Sequence, residues 1–163
     1  MELFRIIVII FIGAILMFGI QPLLFRQGLI WTPNVQDPRG ALELWVSGDY
    51  TIAAFCVFGV SVICTFIWYF MASKSQAHRP DEISKWRLWW AIMGLIPLMS
   101  IVVAIGVLNT QAAARLSLTF FFVIDVLILF WLTTASSTPG LLMYTPPLAP
   151  QLRNFLSKLG VNE

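Results

Sequence analysis

Four long apolar runs constrain this chain more than any other feature of its sequence. They occupy 6–25, 51–71, 88–108 and 116–135, and hold 20, 21, 21 and 20 residues. At about 1.5 Å per residue each is about 30 Å long as a helix, the thickness of a bilayer's hydrocarbon core. A polar break separates every neighbouring pair. Composition points the same way: 59% of residues are apolar, 11% are charged and mean hydropathy is +0.85. A soluble domain carries about a quarter charged residues, and so few charges would leave much apolar surface facing water. Lipid as the solvent removes that difficulty, provided the backbone bonds within helices. The alternating segments of about ten residues that a membrane barrel needs are absent. The expected fold is all-α: a polytopic four-transmembrane-helix bundle over 1–135. A tail, 136–163, follows with a short amphipathic interfacial helix at about 150–159.

The first run follows Arg5 and is broken only by Gln21 and Pro22. Its basic start resembles a signal peptide. The apolar stretch is too long for one, however, and no small-x-small cleavage site follows, so a retained span is expected, bent by Pro22 at its outer end. The third run carries Pro97 at its middle, where a kink is expected. Cys56 and Cys64 share the second run at roughly 12 Å along a helix, too far apart for a disulfide.

Four spans put both termini on one side. Seven of the ten basic residues fall there (Arg5, Lys74, Arg79, Lys85, Arg87, Arg153 and Lys158), against Arg26, Arg39 and Arg115 on the other. The positive-inside rule then sets both termini in the cytoplasm, or on the equivalent side, of a bacterial inner membrane or an organelle membrane. A net charge of +2 is too small to suggest a nucleic-acid partner. Trp68, Trp86, Trp89, Trp90 and Trp131 fall near the cytoplasmic ends, and Trp31 and Trp45 in the outer loop. Indole favours the headgroup level, so a belt of interfacial anchors is expected rather than a ligand-stacking site.

Outside the spans, Asp37 and Pro38 read as a helix cap and first residue, with Ala41, Leu44, Trp45 and Gly48 at helical spacing. A short helix on the outer membrane face or an ordered loop both fit. The loop 73–87 contains His78, Asp81 and Glu82, a trio able to ligate a metal or do acid–base work. A solvated loop that fixes topology is the simpler reading, and neither a metal site nor a cofactor is expected. Past Ser136–Gly140, Tyr144-Thr145-Pro146-Pro147 favours an extended path. Leu148, Leu152, Phe155, Leu156 and Leu159 then share one helical face, while Gln151, Arg153, Asn154 and Lys158 take the other and Gly160 ends the helix. Such a helix suits an anionic lipid surface or a partner's groove.

Asp125 stands at the centre of the fourth span. An ionised carboxylate there costs at least about 2.5–3.5 kcal/mol, so it must face protein or water. Its helical neighbours Phe121, Phe122, Ile128 and Leu129 cannot satisfy it. Counting from span centres brings Ser61, Thr65 and Ser100 to its depth, along with the Met93 carbonyl that Pro97 leaves without a donor. Ser61 with Thr65 and Ser100 with Ala104 form small-xxx-small pairs, and Gly13, Gly19, Gly94 and Gly106 offer further close approaches. The expected role is a non-catalytic accessory subunit or assembly or scaffold factor of a larger membrane complex. Its partners would be the lipid bilayer and other membrane subunits or further copies of itself. The alternative is a small oligomeric transporter or channel that uses Asp125 for proton or cation coupling. A membrane enzyme built on His78, Asp81 and Glu82 is a third reading.

Overall fold

The structure, a computed structural model, describes residues 2–28, 40–75 and 80–158. Among the described residues all regular structure is helical. Four helices are long and apolar enough to cross a membrane: α1, Glu2–Arg26; α2, Leu42–Lys74; α3, Glu82–Leu108; and α4, Ala112–Ser137. A fifth, α5, is Ala149–Lys158.

Every long helix overruns the limits set by hydropathy, because a helix ends where its backbone is interrupted and not where its side chains turn polar. The largest overrun is in α2. Its backbone is already helical at Gly40, so Leu44, Trp45 and Gly48 belong to its first turns and not to a separate helix on the outer face. A π-helical turn at Val46–Tyr50 carries the helix through Gly48 and Asp49, and buries Val46 and Tyr50. Asp37, Pro38 and Trp31 lie outside the described residues. Likewise α3 is helical from Pro80, at a position where proline's missing N–H costs nothing. The helix runs on through Pro97 to Val103.

Helices α2 and α4 pack on each other and on both α1 and α3. The most apolar windows of α2 and α4 are 39% and 44% buried, against 17% and 22% for α1 and α3. Thus α1 and α3 flank a central pair and leave most of their apolar surface outward. Apolar burial does not drive helix association in lipid, so close approach at small residues matters more. Gly13 of α1 meets Leu129 of α4, where an added Cβ would sit 2.5 Å from Leu129 Cδ2. Gly94 of α3 meets Phe130, with a Cβ 2.9 Å from its Cε1. Gly19 and Gly106 have nothing within 4 Å. The small pairs Ser61/Thr65 and Ser100/Ala104 are buried.

After α4 the chain does not extend as its prolines suggest. It makes a 3-10 turn at Gly140–Tyr144, then a second turn in which the Ala149 N–H reaches the Pro146 carbonyl at 3.2 Å. Leu148 adopts the left-handed region, φ 63°, and redirects the chain into α5. This end of the bundle also holds Glu2 and is called the terminal end below; the other is the far end.

Candidate functional site

Asp125 is fully buried, and so is Gln21 of α1. Gln21 Nε2 donates to Asp125 Oδ1 at 2.8 Å and to Oδ2 at 3.0 Å. This amide orientation suits an ionised Asp125, because a reversed Oε1 would face two carboxylate oxygens. Gln21 Oε1 instead accepts from the Tyr50 hydroxyl of α2 at 2.9 Å. That hydroxyl also donates to the Met17 carbonyl at 2.6 Å, sharing its single proton between two acceptors. The network ties α1, α2 and α4 together inside the bundle.

The Met17 carbonyl is free for Tyr50 because of the local backbone of α1. A π-helical turn, Leu16–Ile20, sends the Gln21 N–H back five residues to the Leu16 carbonyl. In that register the next donor, to Met17, would be residue 22. Residue 22 is proline and has no N–H. The dipeptide Gln21-Pro22 therefore supplies both the amide that reaches Asp125 and the orphan carbonyl that Tyr50 satisfies.

Aromatic rings close the network toward the far end. One turn beyond Gln21, Tyr50 and Asp125 on their own helices come Phe25, Trp45, and Phe121 with Phe122. Phe25 packs edge-on against Trp45 at 5.2 Å and against Phe121 at 5.9 Å, while Tyr50 stacks with Phe122 at 6.1 Å. Beyond these rings polar clamps join the helix ends. Trp45 Nε1 donates to Asn109 at 3.0 Å, Asp49 accepts from Thr110, and the exposed Arg26–Glu43 ion pair closes to 2.6 Å.

The hydroxyls expected near Asp125 bond elsewhere. Ser61 Oγ donates to the Val57 carbonyl at 2.6 Å, Ser100 Oγ to the Pro97 carbonyl at 2.7 Å, and Thr65 Oγ1 crosses to the Leu129 carbonyl at 2.8 Å. Thr65 meets α4 one turn from Asp125, as depth counting expected, but that counting passed over Gln21, which lies five residues from the end of α1. The signal was nonetheless present, since Gln21 is the amide that interrupts the first apolar run.

At the terminal end, 133–138 is a buried run of small and polar residues. Trp68 Nε1 donates to Thr138 Oγ1 at 2.9 Å, and Trp90 Nε1 to Thr134 Oγ1 at 3.0 Å. Trp131 Nε1 reaches the Pro147 carbonyl at 2.9 Å. With Trp45, four of the indoles direct their N–H to protein acceptors, those of Trp45 and Trp68 in buried bonds. Trp86 packs on Trp68 at 6.0 Å, and Trp89 is 50% exposed. The tail helix is docked as well. Arg153 is half-buried against the end of α4: its Nε donates to the Ala135 carbonyl at 2.9 Å and its Nη2 to the Thr138 carbonyl at 2.6 Å. Leu152 and Leu156 are half-buried, Phe155 and Lys158 are exposed, and Leu159 and His78 lie outside the described residues. Comparison of the chain with protein-family models, with curated proteins and with solved structures gives no significant match.

Proposed function

We propose that this chain is a non-catalytic membrane subunit, an accessory or scaffold component of a larger membrane complex. The observation that carries this reading is the enclosure of Asp125. The one acidic side chain within the apolar runs is fully buried and bonded within its own chain to Gln21. A carboxylate held this way fixes helix register and does not need an ion or a second subunit. The rest of the network also suits a brace better than a relay, because an amide between a phenol and a carboxylate passes protons poorly. What the bundle leaves outward is the apolar faces of α1 and α3, which are available to lipid and to other membrane helices. Native co-purification in mild detergent, read by mass spectrometry, tests the proposal. Stoichiometric partner subunits are expected, and recovery solely as a free monomer would count against it.

The charge distribution supports an orientation with both termini in the cytoplasm or on its equivalent side. Cysteine substitution at Gly28 tests this in sealed vesicles of known sidedness, in a background where Cys56 and Cys64 are serine. Labelling from the cytoplasmic side would refute it.

A transporter that uses Asp125 is the second reading. It is favoured by a buried carboxylate without a cationic partner among the described residues. In reconstituted vesicles Asp125→Asn would then abolish flux at unchanged abundance, and equal flux would remove the idea.

A further inference from the structure

A groove of about 470 Å³ opens at the terminal end between the start of α3 and the turn that leads into α5. Arg87, Trp90 and Ala91 form one wall, and Tyr144, Thr145 and Gln151 contribute to the other. Both walls are tied to α4. Trp90 is held by Thr134, and Trp131 holds the Pro147 carbonyl.

Two features of the lining point to a ligand. The first is Thr145, which is 3% exposed and whose Oγ1 is a buried polar atom without a hydrogen-bond partner. Buried hydroxyls are normally satisfied, so an orphan in a groove wall marks a place where a partner belongs. The second is Arg87, whose exposed guanidinium makes no hydrogen bond or ion pair among the described residues. With the Gln151 amide, the groove offers donors of three kinds and one full positive charge, a set suited to phosphate oxygens.

The surface below the groove narrows the source of that phosphate. Arg87 and Ala91 begin a stripe on α3 that continues through Leu95, Leu98 and Val102, at spacings of four, four, three and four residues. These three apolar side chains are 56%, 43% and 60% exposed. From Arg87 to Leu98 the helix rises about 16 Å, close to the depth of one leaflet. A charged head site that opens onto an apolar stripe one leaflet deep matches a lipid better than a soluble anion.

We infer that this groove binds the phosphate-bearing headgroup of an anionic phospholipid, whose acyl chains lie along the exposed stripe of α3. The phosphate pairs with Arg87, and a headgroup oxygen accepts a hydrogen bond from the Thr145 hydroxyl. The site is independent of the Asp125 network and of the subunit reading.

The test uses the purified full chain in neutral detergent, titrated with phosphatidylglycerol, phosphatidylcholine or inorganic phosphate, with binding read by native mass spectrometry and thermal melting. Phosphatidylglycerol should bind and raise Tm well beyond phosphatidylcholine. Arg87→Gln should weaken it by about tenfold or more. Lys85→Gln, which removes the same charge from the same helix outside the groove, should leave it unchanged. Thr145→Val should weaken binding about fivefold while leaving the lipid-free Tm equal or higher, and Thr145→Ser should bind as the parent does. Equal losses for Arg87→Gln and Lys85→Gln would reduce the effect to general surface charge and overturn the site. So would equal stabilisation by phosphatidylcholine, or a lipid-free Tm lowered by Thr145→Val. Stabilisation by inorganic phosphate matching that by phosphatidylglycerol would overturn the lipid as occupant.

Discussion

Gln21 and Asp125 stand 104 residues apart in sequence, yet the Gln21 amide bonds both carboxylate oxygens of Asp125, at 2.8 and 3.0 Å. The pair does what apolar packing alone does poorly. Helix α1 is apolar around most of its surface and only 17% buried in its most apolar window, so sliding it by a turn would change its apolar contacts little. A turn of slippage would, however, part the amide from the carboxylate and set Leu129 against the side chain of Ile9 or Met17 in place of Gly13. Polar pairing inside an apolar bundle thus sets register, as a single buried polar residue does in a coiled coil.

A double-mutant cycle tests the pairing. Gln21→Leu leaves the carboxylate without its donor, and Asp125→Leu leaves the amide unsatisfied. Each should cost about 1–3 kcal/mol. The double variant removes both polar groups and should cost clearly less than the sum, with a coupling of about 1–2 kcal/mol. Reversible unfolding in mixed micelles gives the values. Strict additivity would mean that the two side chains do not interact.

The four helices were legible because their signal is the mean polarity of about 20 residues, which no single residue can spoil. Their ends were not, because a helix continues until its backbone bonds are broken, and neither Gly48 nor Asp49 breaks them in α2. That error carried over to the site. With α2 started at Thr51, Tyr50 read as a loop residue, and with all spans centred at one depth, Gln21 read as peripheral. Asp125 itself was legible, since charge in an apolar run stands out in any sequence. The docking of Arg153 was not. Helical periodicity assigns a residue to a face of its own helix, but does not say that this face meets the end of another.

The Tyr50 hydroxyl matters because Pro22 leaves the Met17 carbonyl without a helical donor. Tyr50→Phe keeps the ring between Phe25 and Phe122 and removes the hydroxyl alone. It should cost about 1–2 kcal/mol, since a buried carbonyl and the Gln21 oxygen both lose a donor. Pro22→Ala restores an N–H within reach of Met17. In that background Tyr50→Phe should cost distinctly less, by the same unfolding measurement. An equal cost in both backgrounds would show that proline is not the reason Met17 needs the phenol.

The glycines divide by what surrounds them. At Gly13 an alanine Cβ would overlap Leu129 at 2.5 Å, and at Gly94 it would press a buried aromatic ring at 2.9 Å. Overpacking of this kind costs about 1–3 kcal/mol, more than the roughly 0.5–1 kcal/mol that alanine gains over glycine in a helix. Gly13→Ala and Gly94→Ala should therefore destabilise the bundle. Gly19→Ala and Gly106→Ala meet open space and should be neutral or stabilising. Melting curves of the four variants separate the pairs, and a uniform response would mean that close approach is not what glycine provides here.

Arg153 closes the last turn of α4. The carbonyls there have no helical donors left, and the negative end of the helix dipole favours a cation. The guanidinium meets both needs through its bonds to Ala135 and Thr138. Burial draws its pKa below the ordinary arginine value, partly countered by Glu2, but arginine remains charged at any physiological pH. Arg153→Ala should therefore release α5 and expose the turn 145–148, for a loss of about 1–2 kcal/mol in tail docking. Limited proteolysis reads this directly, as faster cleavage after α4 while the four-helix core stays resistant. Arg153→Lys keeps the charge but not the fork that spans two carbonyls, and should give intermediate protection. Lys158→Ala, on the exposed side of the same helix, should change nothing in this assay. Cleavage unaltered by Arg153→Ala would mean that α5 is held without the guanidinium, by contacts such as Leu152, Leu156 and the Trp131–Pro147 bond.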